Sequence, residues 1–365
     1  MRKDTSIKVQ TGTQNEVYTE ARRQMEICNA CRYCEGYCSA FPALTRLRAF
    51  SDEDITQIAN LCHNCRGCYY ACQYTQPHDF ALNLPRALAE VRSESWQTYA
   101  WPRPLARVFQ THAYATVVAL VLGVALLVWA MRALAPSAGD GFYAALSHSG
   151  MVAIFAPLFV LPLFALAWGL RRYWSDTGGQ RITWAHLSDA LKSAASLRNL
   201  SGGHGEGCNF EQSERFSAQR RSAHHALMYG FLLCFASTSS GTVLHYLFDA
   251  PAPYPFWSVP KLLGVPGGLL LSAGCLWMLA LKARADRDLS DPNTHASDVA
   301  FIALLGFVGA SGLALYWLGA TAAMPAALAL HLGAVAAFFV LTPYTKMAHG
   351  FYRLTALIRD AQQRS

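Results

Sequence analysis

The chain is predicted to be all-α, with a cysteine-rich helical head followed by a six-helix membrane domain. Three observations lead there. Its 365 residues are 53% hydrophobic and only 15% charged, below the roughly 25% charged residues of an ordinary soluble domain. The apolar residues collect in long uncharged blocks: His112–Met131, Gly141–Leu170, Ser222–Phe248, Leu262–Leu281 and Val299–Thr345. Ahead of these blocks the spacing C-x2-C-x2-C-x3-C is printed twice, at Cys28, Cys31, Cys34 and Cys38 and again at Cys62, Cys65, Cys68 and Cys72.

In the head, residues 16–27 read as a helical approach to the first cysteine run, with Tyr18, Met25 and Ile27 for packing. Between the runs, Ala43 to Leu61 has helical apolar spacing through Leu44, Leu47, Ile55, Ile58 and Leu61, and Ser51-Asp-Glu-Asp54 marks a turn or a new helix start. Residues 80–99 continue the pattern through Leu84, Leu88 and Val91, and Trp101-Pro102-Arg103-Pro104 leads into the membrane.

The last uncharged block is too long for one crossing of a bilayer core of about 30 Å, and Gly319 to Pro325 supplies a turn inside it. Six spans follow, near 112–132, 146–170, 223–247, 262–282, 298–318 and 325–349. So many apolar helices exceed what one water-soluble core can hide. The flanking charges agree with both termini in the cytoplasm: Arg103, Arg107, Arg171, Arg172, Arg220, Arg221, Lys282, Arg284, Arg287, Lys346 and Arg353 all fall on one side. The opposite loops carry Arg132 and Lys261. Met-Arg-Lys-Asp-Thr-Ser opens a polar stretch without an apolar signal segment. The net charge of +7 is spread along bilayer boundaries rather than over a recognition surface, which argues against nucleic acid as a partner.

Paired four-cysteine runs of this spacing suit two [4Fe-4S] clusters, in which three close thiolates wrap a cubane and the fourth reaches across to the other. By that motif class, Cys28, Cys31, Cys34 and Cys72 surround one cluster, and Cys62, Cys65, Cys68 and Cys38 the other. Tetrahedral zinc is the competing reading of four cysteines, and disulfides fit poorly with a cytoplasmic head. The domains expected are a two-cluster ferredoxin head over 1–100, a membrane domain over 101–350 that includes a cytoplasmic loop 171–222, and a tail over 351–365.

Histidines offer a route into the membrane. On one straight sixth helix, His331 and His349 would lie about 27 Å apart on the same face. His245 on the third helix could face His331, and His224 or His225 could face His349, as axial pairs for one or two b-type haems. His224 is preferred, because on a straight helix it lies about 60° from His245, against about 160° for His225; His225 stays open as the ligand. His112 and His148 are alternatives near the membrane edges.

Within the loop, Trp184, Leu187, Leu191, Ala194 and Leu197 predict a helix lying on the membrane surface. The Gly202–Cys208 stretch lacks the Lys-Ser/Thr ending of a phosphate-binding loop. Cys208, Cys234 and Cys275 read as structural.

Residues 28–38 and 62–72, joined by a helical insert, resemble the alpha-helical two-cluster ferredoxin domains of succinate dehydrogenase iron-sulfur subunits and heterodisulfide reductase-like proteins. With the six spans, Ser201-Gly-Gly-His-Gly-Glu-Gly-Cys208-Asn, His224-His225 and Gly230-Phe-Leu-Leu-Cys-Phe-Ala-Ser, the whole chain resembles the tricarballylate/citrate utilisation membrane iron-sulfur protein family. That resemblance implies a multi-pass protein of the bacterial inner membrane that takes electrons from a reduced FAD-dependent dehydrogenase of tricarballylate type and passes them to an exchangeable quinone. It would be the quinone-reducing component of a multi-protein oxidoreductase, or alternatively a redox membrane anchor without a quinone site of its own. The chain departs from the two-cluster pattern in one respect: Ser39 and Gln73, rather than prolines, follow the last cysteines of the two runs.

Overall fold

A computed structural model describes residues 12–38, 40–134, 142–210 and 215–365; the polar start expected at the N-terminus lies outside the described residues. The head begins with α1 (Gly12–Cys31) and α2 (Phe41–Thr45). A turn then leads to α3 (Asp52–Leu61), whose start is fixed by a capping box in which Ser51 and Asp54 satisfy one another's backbone N–H groups. The acidic first turn of α3 also suits the positive helix end. The turn α4 (Gly67–Tyr70) carries Cys68, and α5 (Leu84–Tyr99) starts on an Asn83 cap with Pro85 in its first turn. Met25, Phe41, Leu44, Ile55, Ile58 and Val91 are all but sealed from solvent in the core between these helices.

The short amphipathic α6 (Arg103–Thr111) turns the chain into the first span, α7 (Ala113–Leu134). After the one-turn α8 (Phe142–Ala145) come the second span α9 (His148–Asp176) and the surface helix α10 (Trp184–Ala195), started by Thr183 and His186 as reciprocal caps. The remaining spans are α11 (Gln219–Phe248), α12 (Val259–Arg284), α13 (His295–Leu318) and α14 (Met324–Leu341). A final helix, α15 (Ala348–Arg364), follows. The all-α class and the six apolar spans therefore stand, and the protein is a multi-pass membrane protein. Among the described residues the strand content is one antiparallel bridge, Cys208 with Ser217.

Two features of the chain's end differ from the sequence reading. The sixth span stops at Leu341 rather than 349, and a tight turn over 342–347 separates it from α15. His331 and His349 therefore sit on different helices. The [4Fe-4S] part of the fold assignment also fails, because among the described residues no three His, Cys, Asp or Glu side chains are placed to hold a metal ion. The head is an all-α, thiol-rich unit.

Small residues let the spans approach closely, as packing in lipid requires when burial of apolar surface supplies no force. A Cβ on Gly230 of α11 would collide with the Leu271 backbone of α12, and one on Gly333 of α14 with the Val121 carbonyl of α7. The outward faces, with Leu126, Leu247, Leu276 and Trp317, are exposed apolar surface of the kind that lipid covers.

The head is joined to α9 and α15 through a shared core. Tyr173 of α9 donates to Gln57 Oε1 at 2.6 Å, and Gln57 Nε2 donates to the Ala356 carbonyl of α15 at 2.8 Å. Tyr99, Tyr173 and Tyr352 pack edge to face around this link, with the Tyr173 ring 5.6 Å from each of its neighbours.

Two measurements follow from this packing. Gly230→Ala is expected to cost about 1–3 kcal/mol through overpacking, while Gly123→Ala, which meets nothing, stays within about 0.5 kcal/mol; thermal denaturation of the solubilised protein reads both. Tyr173→Phe leaves Gln57 Oε1 buried without its donor and is expected to cost about 1–3 kcal/mol, seen in the same melting experiment.

Candidate functional site at the junction of head and spans

The eight patterned cysteines gather in two neighbourhoods. Cys28 and Cys31 end α1, Cys34 and Cys38 flank the short helical turn Glu35–Tyr37, Cys62 closes α3, and Cys65, Cys68 and Cys72 surround α4. Cys28 lies near Cys34, Cys72 and Cys31, whereas Cys38 lies near Cys65 and Cys62, and Cys68 near Cys38 and Cys65. All are free thiols. Burial first, and neighbouring cysteines second, push Cys28 up to about 12, and burial likewise raises Cys34 to about 11. Cys38 and Cys68 are driven well above the ordinary thiol range, mainly by burial.

These neighbourhoods do not amount to the metal centres expected from the spacing. A metal site needs deprotonated donors converging on one point. No group of three or more His, Cys, Asp or Glu among the described residues is so placed. The two [4Fe-4S] clusters, and the iron-sulfur and metal-binding character drawn from them, are therefore corrected.

The b haems and the electron route through them are corrected as well. His331 turns toward α13, where its Nδ1 lies 3.0 Å from Ser311 Oγ, and its ring packs over Gly312. His245 does not face it; it stacks instead on His148 with ring centroids 4.1 Å apart, and His148 Nε2 lies 2.9 Å from the Tyr246 hydroxyl. The outer axial pair is absent because α11 brings its outer end to α9 rather than to the middle of α14. At the inner end His224 and His349 do meet, edge to face at 5.9 Å, while His225 turns to Tyr229. His349 reaches that place from the first turn of α15, with its Nδ1 held by the Lys346 carbonyl.

The middle loop lies against the head. The ring of His204 packs on Tyr37 at 5.3 Å, Tyr37 stacks on Phe216, and the Asn209 N–H donates to the Cys65 carbonyl at 2.9 Å. Gly203 passes so close to the Gly36 carbonyl that no side chain fits there. Cys208, wholly buried, donates from Sγ to the Leu200 carbonyl at 3.2 Å and lies beside Cys65. The loop thereby covers Cys65 of the second thiol neighbourhood, while the first lies near exposed Arg32, Tyr33 and Gln73.

Sequence reasoning missed the arginines that hold this junction. Arg66 is 1% exposed and has a left-handed backbone with φ 70°. It donates to the carbonyls of Phe210 and Asp286 and to Ser290 Oγ, at 2.7, 2.8 and 2.9 Å. Arg66 and Arg220 both lie over the Phe210 ring, at 4.7 and 4.3 Å from its centroid. Arg92 and Arg353 each donate to the Cys62 carbonyl at 2.8 Å, and Arg220 donates to that of Asn64 at 2.7 Å. One available signal was spacing: Arg220 with His224, and His349 with Arg353, are four residues apart on helices.

With this geometry established, the chain was compared with known proteins. The family profile described as "Citrate utilization protein B" matches residues 102–365, and that described as "Citrate utilization protein B Fer4-like domain" matches residues 21–98. A relative named "Citrate utilization protein B", from Escherichia coli, is 40% identical over 352 residues, which cover 95% of this chain and 92% of the relative. No solved structure matches. A six-span protein with a thiol-rich head, matched in both parts and over nearly its full length, the chain belongs to the citrate utilization protein B family.

Proposed function

We propose that the protein is the membrane component of a tricarballylate- or citrate-utilisation system, the anchor that holds a soluble FAD-dependent dehydrogenase at the membrane in which quinone dissolves. The observation that carries this reading is the join of a thiol-rich head to the span α9 and the helices α10 and α15 through one continuous core. Such a join fixes the distance from a soluble partner's docking face to the lipid in which quinone dissolves. Family membership supports the metabolic setting. The organic acid itself would be oxidised on the partner, since this chain carries no dinucleotide-binding fingerprint.

In this reading the chain's residues position rather than transform the substrate. The buried Gln57–Tyr173 link and the arginines around Cys62 and Asn64 hold the head in a fixed pose, and the loop over 202–210 packs on Cys65. The first neighbourhood, beside exposed Arg32, Tyr33 and Gln73, would meet the soluble partner.

The test uses membranes that contain the full chain and its dehydrogenase, with a water-soluble quinone analogue followed spectrophotometrically after organic acid is added. Cys34→Ser and Cys68→Ser are each expected to lower the rate more than tenfold, while Cys275→Ser, in the packed α12, retains it. Rates unchanged by both head substitutions, or by omission of the chain, would sink the proposal.

A further inference from the structure

The end of the span bundle that meets the head concentrates positive charge that no ion pair among the described residues balances. On α11, Arg220 and His224 share a face; on α15, His349 and Arg353 do the same. The two histidine rings meet at 5.9 Å, and Arg353 and Arg220 reach the adjacent carbonyls of Cys62 and Asn64. Arg92 of α5 comes to the Cys62 carbonyl as well, and its charge is felt by Lys346 in the turn before α15.

None of the ion pairs among the described residues joins a carboxylate to Arg92, Arg220 or Arg353. Asp298 is shared between Lys282 and Lys346. Backbone carbonyls satisfy the guanidinium N–H groups but bring no counter-charge, and uncompensated like charges in a buried place are strongly unfavourable. The crowding is visible in the groups themselves. Burial first, and then Arg92, draws Arg353 below the usual arginine range to about 9, and burial with Arg353 holds His349 well below the ordinary histidine range.

A second observation points into the same place. His224 Nδ1 is buried and has no hydrogen-bond partner, and its ring lies beside Arg220, Arg353 and His349. With its proton on Nδ1, this imidazole has an enclosed donor that calls for an acceptor.

We propose that Arg92, Arg220, Arg353 and the free Nδ1–H of His224 form a binding site for a phosphate-type oxyanion at the junction of head and membrane. An oxyanion supplies the missing negative charge, matches the planar forks of the arginines and accepts from His224. The place, at the inner end of the spans, lies within reach of either a lipid headgroup or an anion from the cytoplasm.

The full chain in nanodiscs tests this. With zwitterionic phosphatidylcholine as reference, replacement by phosphatidylglycerol, or addition of millimolar inorganic phosphate against equal chloride, is expected to raise Tm by about 3 °C or more. Hydrogen exchange in Cys62–Arg66 should slow several-fold with the same addition. A response to phosphatidylglycerol alone assigns the lipid headgroup, and a response to phosphate alone assigns the soluble anion. Arg353→Gln and Arg220→Gln should remove the response, while Arg364→Gln, in the distant pair with Asp189, keeps it. The proposal is overturned by no response to either anion, or by an equal response in Arg353→Gln. If that variant fails to fold, unprotected exchange across Cys62–Arg66 in the unaltered chain overturns it by itself.

Discussion

The short backbone segment from Asn60 to Arg66 has to bury its carbonyls between the head and the spans, and much of the structure answers that need. A buried carbonyl without a donor costs about as much as a lost hydrogen bond. Donors therefore come from far along the chain: Arg92 from α5, Arg220 from the start of α11 and Arg353 from α15. Arg66 works in the other direction and ties the segment to Phe210 and to the Asp286–Ser290 turn after α12. Since each partner sits on a different element, the segment can be satisfied only when the head, the middle loop, α12 and α15 are all in place.

This interlock gives the cysteines their environment. The second thiol neighbourhood begins at Cys62 and Cys65, within the same segment, and is closed by the loop that brings Cys208 and Asn209 against it. The first lies beside exposed residues. The two are alike in spacing but unlike in surroundings, because only one of them is part of the seam. Burial in a crowded cationic seam and burial beside exposed residues are different electrostatic settings, and the duplicated motif does not distinguish them.

The histidines show how site reasoning from a straight helix fails. Placing His331 and His349 on one face assumed a continuous sixth span, but α14 ends at Leu341 and the turn over 342–347 redirects the chain. His349 still meets His224, now from a separate helix that packs on the head. His245 pairs with His148 because the second and third spans approach at their outer ends, a neighbour relation that periodicity does not encode. Arg220 and Arg353 escaped notice as donors to this segment for a related reason: at a membrane edge, each reads as one more positive flank.

What the sequence by itself determined was local or statistical. Uncharged block length set the six spans, because a bilayer of fixed thickness demands a fixed length of apolar helix. Ser51 and Asp54 announced the start of α3, because a cap is satisfied by residues three apart. The family resemblance was carried by motifs along nearly the whole chain. Only the tertiary structure decided which thiols are neighbours, that three or more of them do not converge on a metal, which histidines meet, and that four arginines from separate elements secure one buried segment. Those outcomes depend on helix ends, crossing partners and long-range donors, and a side chain's local spacing carries no information about what the rest of the chain brings to face it.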